Sequence, residues 1–370
     1  MKMNLNIIIL FMILVTLAIL YRRYENKLMN HENDYTGIQN YLDGATIKNS
    51  KKPILWIHVP YEYNSRKWLN FGSRSSFDLN QPYLYLTVKS IIQQCDKSFM
   101  ICIIDDNSFE KLIPNWSIDM SIISDPILKN VRKLALMKLL YIYGGMICPV
   151  SFLCMKDLIG MYNKGTDNKK MFLCQTNNRN ITSTTFDFYP TIDFSGATKE
   201  NETVHDLIDF MQIIISNDFT DQSVFIGDFN RWCENKIQNG RINMIDGIEI
   251  GVKTLDDEPI LLEDLMSQHY LKIYPGTYGI LIPSEEILKR RHYEWFARLS
   301  HKEVLESNTI IGNYLLLANT PDTKGILEPL KNKPDWVGFW KTPLYPGLFG
   351  LKPNYLGDNM IKEQYPGETN

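Results

Sequence analysis

The sequence predicts an α/β fold with a mainly parallel sheet and helical additions, preceded by one N-terminal transmembrane helix. Three observations carry this. Residues 5–21, LNIIILFMILVTLAILY, are apolar apart from Asn6 and Thr16, about the shortest stretch that spans hydrocarbon. From residue 52 onward, short apolar runs rich in β-branched and aromatic residues alternate with helical stretches, the pattern of parallel strands joined by crossover helices. The most apolar helical stretch ends at Tyr143, meets Gly144-Gly145, and runs directly into another strand-like segment, as a glycine after the last helical residue allows.

Composition narrows the function classes. A chain of 370 residues is long enough for one large domain or two ordinary ones. Its formal net charge of -3 gives no broad basic surface, and no RNA-recognition, zinc-finger or basic-zipper pattern occurs, so nucleic acid is not expected as a partner. The six cysteines, Cys95, Cys102, Cys148, Cys154, Cys174 and Cys233, form no CxxC pair and have no close histidine to complete a zinc set. They read as buried thiols. Cys95 and Cys102 flank a helix-to-strand connection and could pair in an oxidising compartment.

Residues 1–4 flank the apolar segment. No small-residue cleavage site follows it; the next residues are Arg22, Arg23 and Tyr24. It therefore reads as an uncleaved anchor rather than a signal peptide, which makes the membrane a partner. Lys2 before the segment against Arg22, Arg23 and Lys27 after it would place the body in the cytoplasm. The sequons Asn115-Trp-Ser, Asn180-Ile-Thr and Asn201-Glu-Thr fit a lumen instead. The side, luminal or cytoplasmic, stays open. Residues 22–51 are a polar stalk.

The body, 52–370, opens with ILWIHV (54–59), a continuous apolar run that predicts a buried strand. The polar loop that follows contains Arg66, Lys67 and Arg74. Pro82 then opens a helix, PYLYLTVKSIIQQ. FMICII (99–104) predicts a second strand, DDNS a turn, and MSIIS (120–124) a third strand. Asp125 suits an N-cap and Pro126 the first position of a helix running to Tyr143. Beyond it, helical patterns lie near 201–215, 221–238, 284–299 and 303–318, and MFLC and YGILIP are strand-like. The segment 334–370 is an extension rich in aromatic residues, proline and glycine.

The stretch ALMKLLYIYGGMICPVSF (135–152), with PILWIHV and FMICIIDD, resembles the glycosyltransferases of GT-A fold. The likeness is to family 32 and the capsular polysaccharide synthesis proteins, and covers about residues 52–160. Their motif is an apolar helix, then Gly-Gly-x-Tyr-x-Asp-x-Asp. The resemblance implies a nucleotide-binding half at 52–160, an acceptor-side helical half at 161–333, a nucleotide-sugar donor, and a glycan or glycoprotein acceptor. In that family the two aspartates hold Mn²⁺ or Mg²⁺ against the donor diphosphate. Counted from Gly144-Gly145, those positions are here Pro149 and Ser151, and the motif tyrosine is Ile147. The family's helix Asp and Arg fall at Lys133 and Leu136. A divalent metal is therefore not expected at this position.

Two outcomes follow from the altered motif. In one, the chain is a metal-free transferase in which Arg132 and Lys133 meet the diphosphate charge. In the other, it is an inactive structural or binding protein of a membrane that keeps the scaffold. The richness in Ile, Asn, Lys and Tyr matches AT-rich genomes, large DNA viruses among them. Donor-binding candidates are Trp56, His58, Asp105, Asp106, Arg132, Lys133, Gly144 and Gly145. Asp218 and Asp221, in DFTDQSVF, are candidate bases. Each has a plainer role: Trp56 and His58 in core packing, Asp105 and Asp106 in a turn, Arg132 and Lys133 in solvent, Asp221 as an N-cap.

Overall fold

A computed structural model describes residues 52–60, 81–177, 187–217, 222–268 and 271–319, with backbone alone at 222–226. The chain divides into two units, Met1–Ile47 and Lys48–Asn370, and every described residue lies in the second. The anchor 5–21, the stalk 22–51, the loop with Arg66, Lys67 and Arg74, the sequon at Asn180, Asp218, Asp221 and the extension 334–370 lie outside the described residues. Among the described residues no helix is long and apolar enough to cross a membrane.

The first half is built from β1 (Ile54–His58), α1 (Tyr83–Cys95), β2 (Met100–Ile104), α2 (Ser108–Leu112), α3 (Ile127–Tyr143), β3 (Gly145–Ile147), β4 (Phe152–Cys154) and α4 (Ile159–Gly165). Then come β5 (Met171–Asn177), β6 (Phe188–Ala197), α5 (Glu202–Ser216), α6 (Gln222–Gln238) and β7 (Ile242–Ile245). The chain continues through α7 (Leu262–Met266), β8 (Gly279–Leu281), α8 (Ser284–Lys289), α9 (Glu294–Arg298), α10 (His301–Leu305) and α11 (Ile310–Asn319).

Six strands form one sheet in the order β2-β1-β3-β6-β5-β7. β1 pairs parallel with β2, Ile54 opposite Met100 through His58 opposite Ile104, and parallel with β3, Leu55 opposite Met146. β5 and β7 are parallel, while β6 is antiparallel to both β3 and β5. β6 therefore runs against the other strands of a mostly parallel sheet. This α/β architecture is compatible with a Rossmann-like arrangement.

β1 reads as an unbroken apolar run because both of its faces are covered. Leu55, Trp56 and Ile57 are wholly buried, which is what a strand between two helical layers requires. The crossovers β1-α1-β2 and β2-α3-β3 travel in opposite directions along the sheet. Right-handed connections then put α1 and α3 on opposite faces. α3 packs with α5 and β6; α1 packs with β4, α10 and α11. On the α1 side, β4 and β8 make a small antiparallel sheet. It shares a second core with the C-terminal helices, in which Tyr83, Leu86, Leu153, Ile280, Phe296, Ile311 and Leu315 meet.

Several sequence expectations are corrected. MSIIS is no strand: Met120–Ile122 is a single 3-10 turn, because Asp119 accepts from the Ser121 backbone N–H at 2.9 Å and holds it coiled. Asp125 does not cap α3, since Pro126 itself occupies the cap position with helical backbone angles. The stretch 284–299 breaks into α8 and α9 where Arg290 turns extended. There its guanidinium is drawn to Glu263 as well as Glu286. A capping box, Ser300 with Glu303, starts α10 and separates it from α9. α10 and α11 are likewise distinct, with Thr309 Oγ1 accepting from the Gly312 N–H at 3.1 Å. The sequon asparagine Asn201 is buried. It caps α5 by accepting from Thr203 and Val204 and donates to the Lys169 carbonyl at 2.7 Å, so the folded chain offers it no glycan.

Gly144 and Gly145 are structural. Gly144 ends α3 at φ 72°, and its N–H donates to the Leu140 carbonyl at 2.9 Å. Gly145 sits at φ 102°, and a Cβ there would lie 2.2 Å from the Ile54 carbonyl oxygen. The backbone of β3 thus approaches β1 closer than any side chain permits. Gly145→Ala is expected to lose about 3 kcal/mol of stability in urea unfolding. Gly240→Ala, at φ 66° with only Lys170 Nζ 4.0 Å away, should lose about 1 kcal/mol. Equal losses would show that the β1–β3 approach is not what demands Gly145.

Candidate functional site

Ligands of open α/β sheets bind beyond the carboxyl ends of the parallel strands. Here β1 ends at His58, and β2 runs out into Asp105 and Asp106. α3 finishes at Gly144, where β3 begins, so the first turns of α3, with Arg132 and Lys133, lie toward the opposite, carboxyl edge. β6 is antiparallel and pairs Ser195 with Ile147. Two residues earlier, Asp193 reaches the same edge.

Asp106 is the hub. Arg132 grips its carboxylate with a fork: Nε donates to Oδ1 at 3.0 Å and Nη2 to Oδ2 at 2.6 Å. His58 Nε2 lies 2.9 Å from Oδ1; facing a carboxylate, that nitrogen is the donor. The three side chains are about one-tenth exposed, and the imidazole also packs on Phe109 with ring centroids 5.1 Å apart. Burial alone would raise the Asp106 carboxyl. The hydrogen bonds and positive charge of His58 and Arg132 outweigh it and hold the group below the usual carboxylate range.

Lys133 makes a second, looser pair. Its Nζ donates to Asp193 Oδ2 at 2.9 Å, with the two side chains 34% and 49% exposed. Desolvation pulls the ammonium pKa down, but the Asp193 carboxylate more than offsets it, and the net direction is up. The two pairs differ in what an incoming anion would meet. Displacing Asp106 from Arg132 would break a buried pair, at roughly 3–5 kcal/mol. Displacing Asp193 from Lys133 breaks a surface pair worth about 1 kcal/mol or less. Of these two cations Lys133 is the more readily exchanged.

The other candidates have structural duties. Trp56 is wholly buried, donates from Nε1 to the Gly144 carbonyl at 3.0 Å, and packs on Tyr143. Asp105 is the turn residue, accepting from the Ser108 N–H at 2.9 Å and its hydroxyl at 2.6 Å. Pro149 and Ser151 lie in a strap from β3 to β4 whose backbone is tied at each step. Cys148 N–H donates to the Trp56 carbonyl, Phe152 N–H to Pro149, and Ile282 N–H to Ser151. The Thr87 hydroxyl donates to the Val150 carbonyl. Among the described residues no group of three His, Cys, Asp or Glu is placed to hold a metal ion.

The structure thus brings His58, Asp106 and Arg132 together, sets Lys133 beside them in α3, and gives Trp56, Asp105, Gly144 and Gly145 structural contacts of their own. Sequence reasoning missed Asp193. Its signal was present: it is the one charged residue in TIDFSGA (191–197), and in the fold it is the one exposed position of that run. Comparison with protein-family models, curated proteins and solved structures returns no match.

Asp106→Asn removes the charge that both His58 and Arg132 face and should cost about 3 kcal/mol in urea unfolding at pH 7. The carboxyl is lowered in the folded state. Its contribution is therefore complete above the unfolded value, about 3.9, and is lost as pH falls through the lower folded value. Unfolding free energies measured from pH 7 down to pH 2 should show an acid limb that is shallower in the variant. An unchanged acid limb would show that Asp106 does not supply it.

Proposed function

We propose that this chain is a membrane-anchored, glycosyltransferase-like protein of GT-A type that binds a nucleotide-sugar at the carboxyl edge of β1, β2 and β3 without a divalent metal. One observation carries the reading. Lys133 stands in α3 at the edge where the parallel strands end, and among the described residues its ion pair is an exchangeable surface one with Asp193. When the sugar's anomeric bond to the diphosphate breaks, negative charge grows on the leaving diphosphate. A preorganised ammonium there stabilises that charge as a metal would. Arg132 stays locked to Asp106 and adds positive potential without direct contact. The acceptor is a glycan or glycoprotein hydroxyl.

A second reading has its own support. His58, Asp106 and Arg132 satisfy one another, Asp105 serves Ser108, and Pro149 and Ser151 fill the positions where the resembling family carries its metal aspartates. On this reading the chain keeps the scaffold as an inactive binding or structural component of a membrane.

Calorimetric titration of the full chain in detergent with UDP, GDP and their sugars, with Mn²⁺ and then with chelator, separates the two. The transferase reading expects binding that survives chelator and weakens about tenfold or more in Lys133→Ala, the loss of one hydrogen bond to a charged group. Binding abolished by chelator would overturn the metal-free assignment. Folded protein that binds none of these donors would leave the scaffold reading.

A further inference from the structure

All six cysteines are buried thiols, yet two of them touch. Cys95 is the last residue of α1 and Cys154 the last of β4, and their sulfurs are 3.9 Å apart. Their backbones are held together from both sides. The Cys154 N–H donates to Ser90 Oγ, one turn back along α1, at 3.0 Å, and the Ser98 hydroxyl, just past α1, donates to Asp157. Cys102, the partner that chain proximity favoured, lies instead on β2 opposite Trp56.

We propose that Cys95 and Cys154 form a disulfide when the chain folds in an oxidising compartment, fastening the end of α1 to the end of β4. A sulfur–sulfur bond is about 2 Å long, so bonding asks the two sulfurs to close about 2 Å from contact. The bridge joins positions 59 apart in sequence. It ties the first crossover helix to the small sheet of the second core.

The chemistry is thiol–disulfide exchange with a disulfide oxidant such as oxidised glutathione. One cysteine, as thiolate, attacks a glutathione sulfur, forming a mixed disulfide and releasing one glutathione thiolate, which takes up a proton. The second cysteine thiolate attacks the protein-side sulfur of that mixed disulfide and releases the other glutathione. Two protein S–H groups are oxidised, and one oxidised glutathione is reduced to two thiols. In the finished fold both sulfurs are shut off from solvent, and the Cys95 sulfur together with burial pushes the Cys154 thiol well above its ordinary range. Thiolate is scarce there, so the bond forms during folding, before the pair closes over. Once the fold is complete the pair keeps the state it folded in, and so reports the side of the membrane on which the body folded.

The test is a peptide map. Full-length chain, reduced and unfolded, is refolded in detergent with a mixture of oxidised and reduced glutathione, alkylated, digested without reductant and weighed. The expected result is one cross-linked peptide pair joining Cys95 to Cys154, with Cys102, Cys148, Cys174 and Cys233 alkylated. Folded protein with six alkylated cysteines overturns the proposal, and so does Cys95 joined to Cys102 or Cys148. Protein expressed directly in an oxidising cell compartment gives the same reading without refolding. Refolded Cys154→Ala should leave Cys95 alkylated. The oxidised wild type should melt about 5 °C or more above the same protein folded with reductant.

Discussion

The constraint on which the rest depends is the contact of β3 with β1 at Gly145. The backbone there runs against the Ile54 carbonyl with no room for a side chain. This approach puts β1 between two parallel neighbours, sends α3 back across the sheet, and lets Trp56 bond the Gly144 carbonyl. Because β1, β2 and β3 then end on one edge, His58, Asp106 and the first turns of α3 converge there from segments far apart in sequence. The polar cluster is a product of that topology, since no spacing along the chain would assemble it.

Electrostatics at this edge divides into a closed part and an open part. Asp106 is shared by a guanidinium fork and an imidazole in a setting about one-tenth exposed. Such an arrangement costs a great deal to open and holds β1, β2 and α3 in register. Lys133 and Asp193 face water and exchange partners cheaply. Of the two cations on α3 at this edge, Lys133 is therefore the one whose partner is given up at lower cost. Arg132 contributes through charge at a distance.

Local signals in the sequence carried most of the first half. The apolar runs at 54–59 and 99–104, Pro82, and Gly144 each had a local physical cause, and each stands where that cause placed it. Where a local signal was overruled, a specific side chain won. Asp119 coiled MSIIS, Arg290 followed two glutamates out of its helix, and Thr309 began a new helix inside the apparently continuous 303–318. The site was less legible. His58, Asp106 and Arg132 were each visible as candidates, but that one carboxylate holds the other two is a tertiary fact. Trp56, a candidate through the resemblance with core packing as its plainer role, is wholly buried in mid-strand, and nothing in the letters of a buried apolar run tells which carbonyl its indole N–H will reach.

The strap from Cys148 to Cys154 joins these threads. Its first N–H is bonded to β1, its middle to Thr87 on α1, its Ser151 carbonyl to Ile282, and its last residue touches Cys95. It connects the main sheet to the second core and is fastened to both. A segment anchored in this way has its backbone groups committed, and Pro149 removes one N–H outright. Aspartates on such a strap could still present carboxylates to a metal; proline and the buried Ser151 cannot. The tether itself rests on backbone groups of Cys148, Pro149, Val150 and Ser151, not on a carboxylate at either position. That is the pattern expected if the strap's structural duty, joining two cores, persists independently of any metal it could carry.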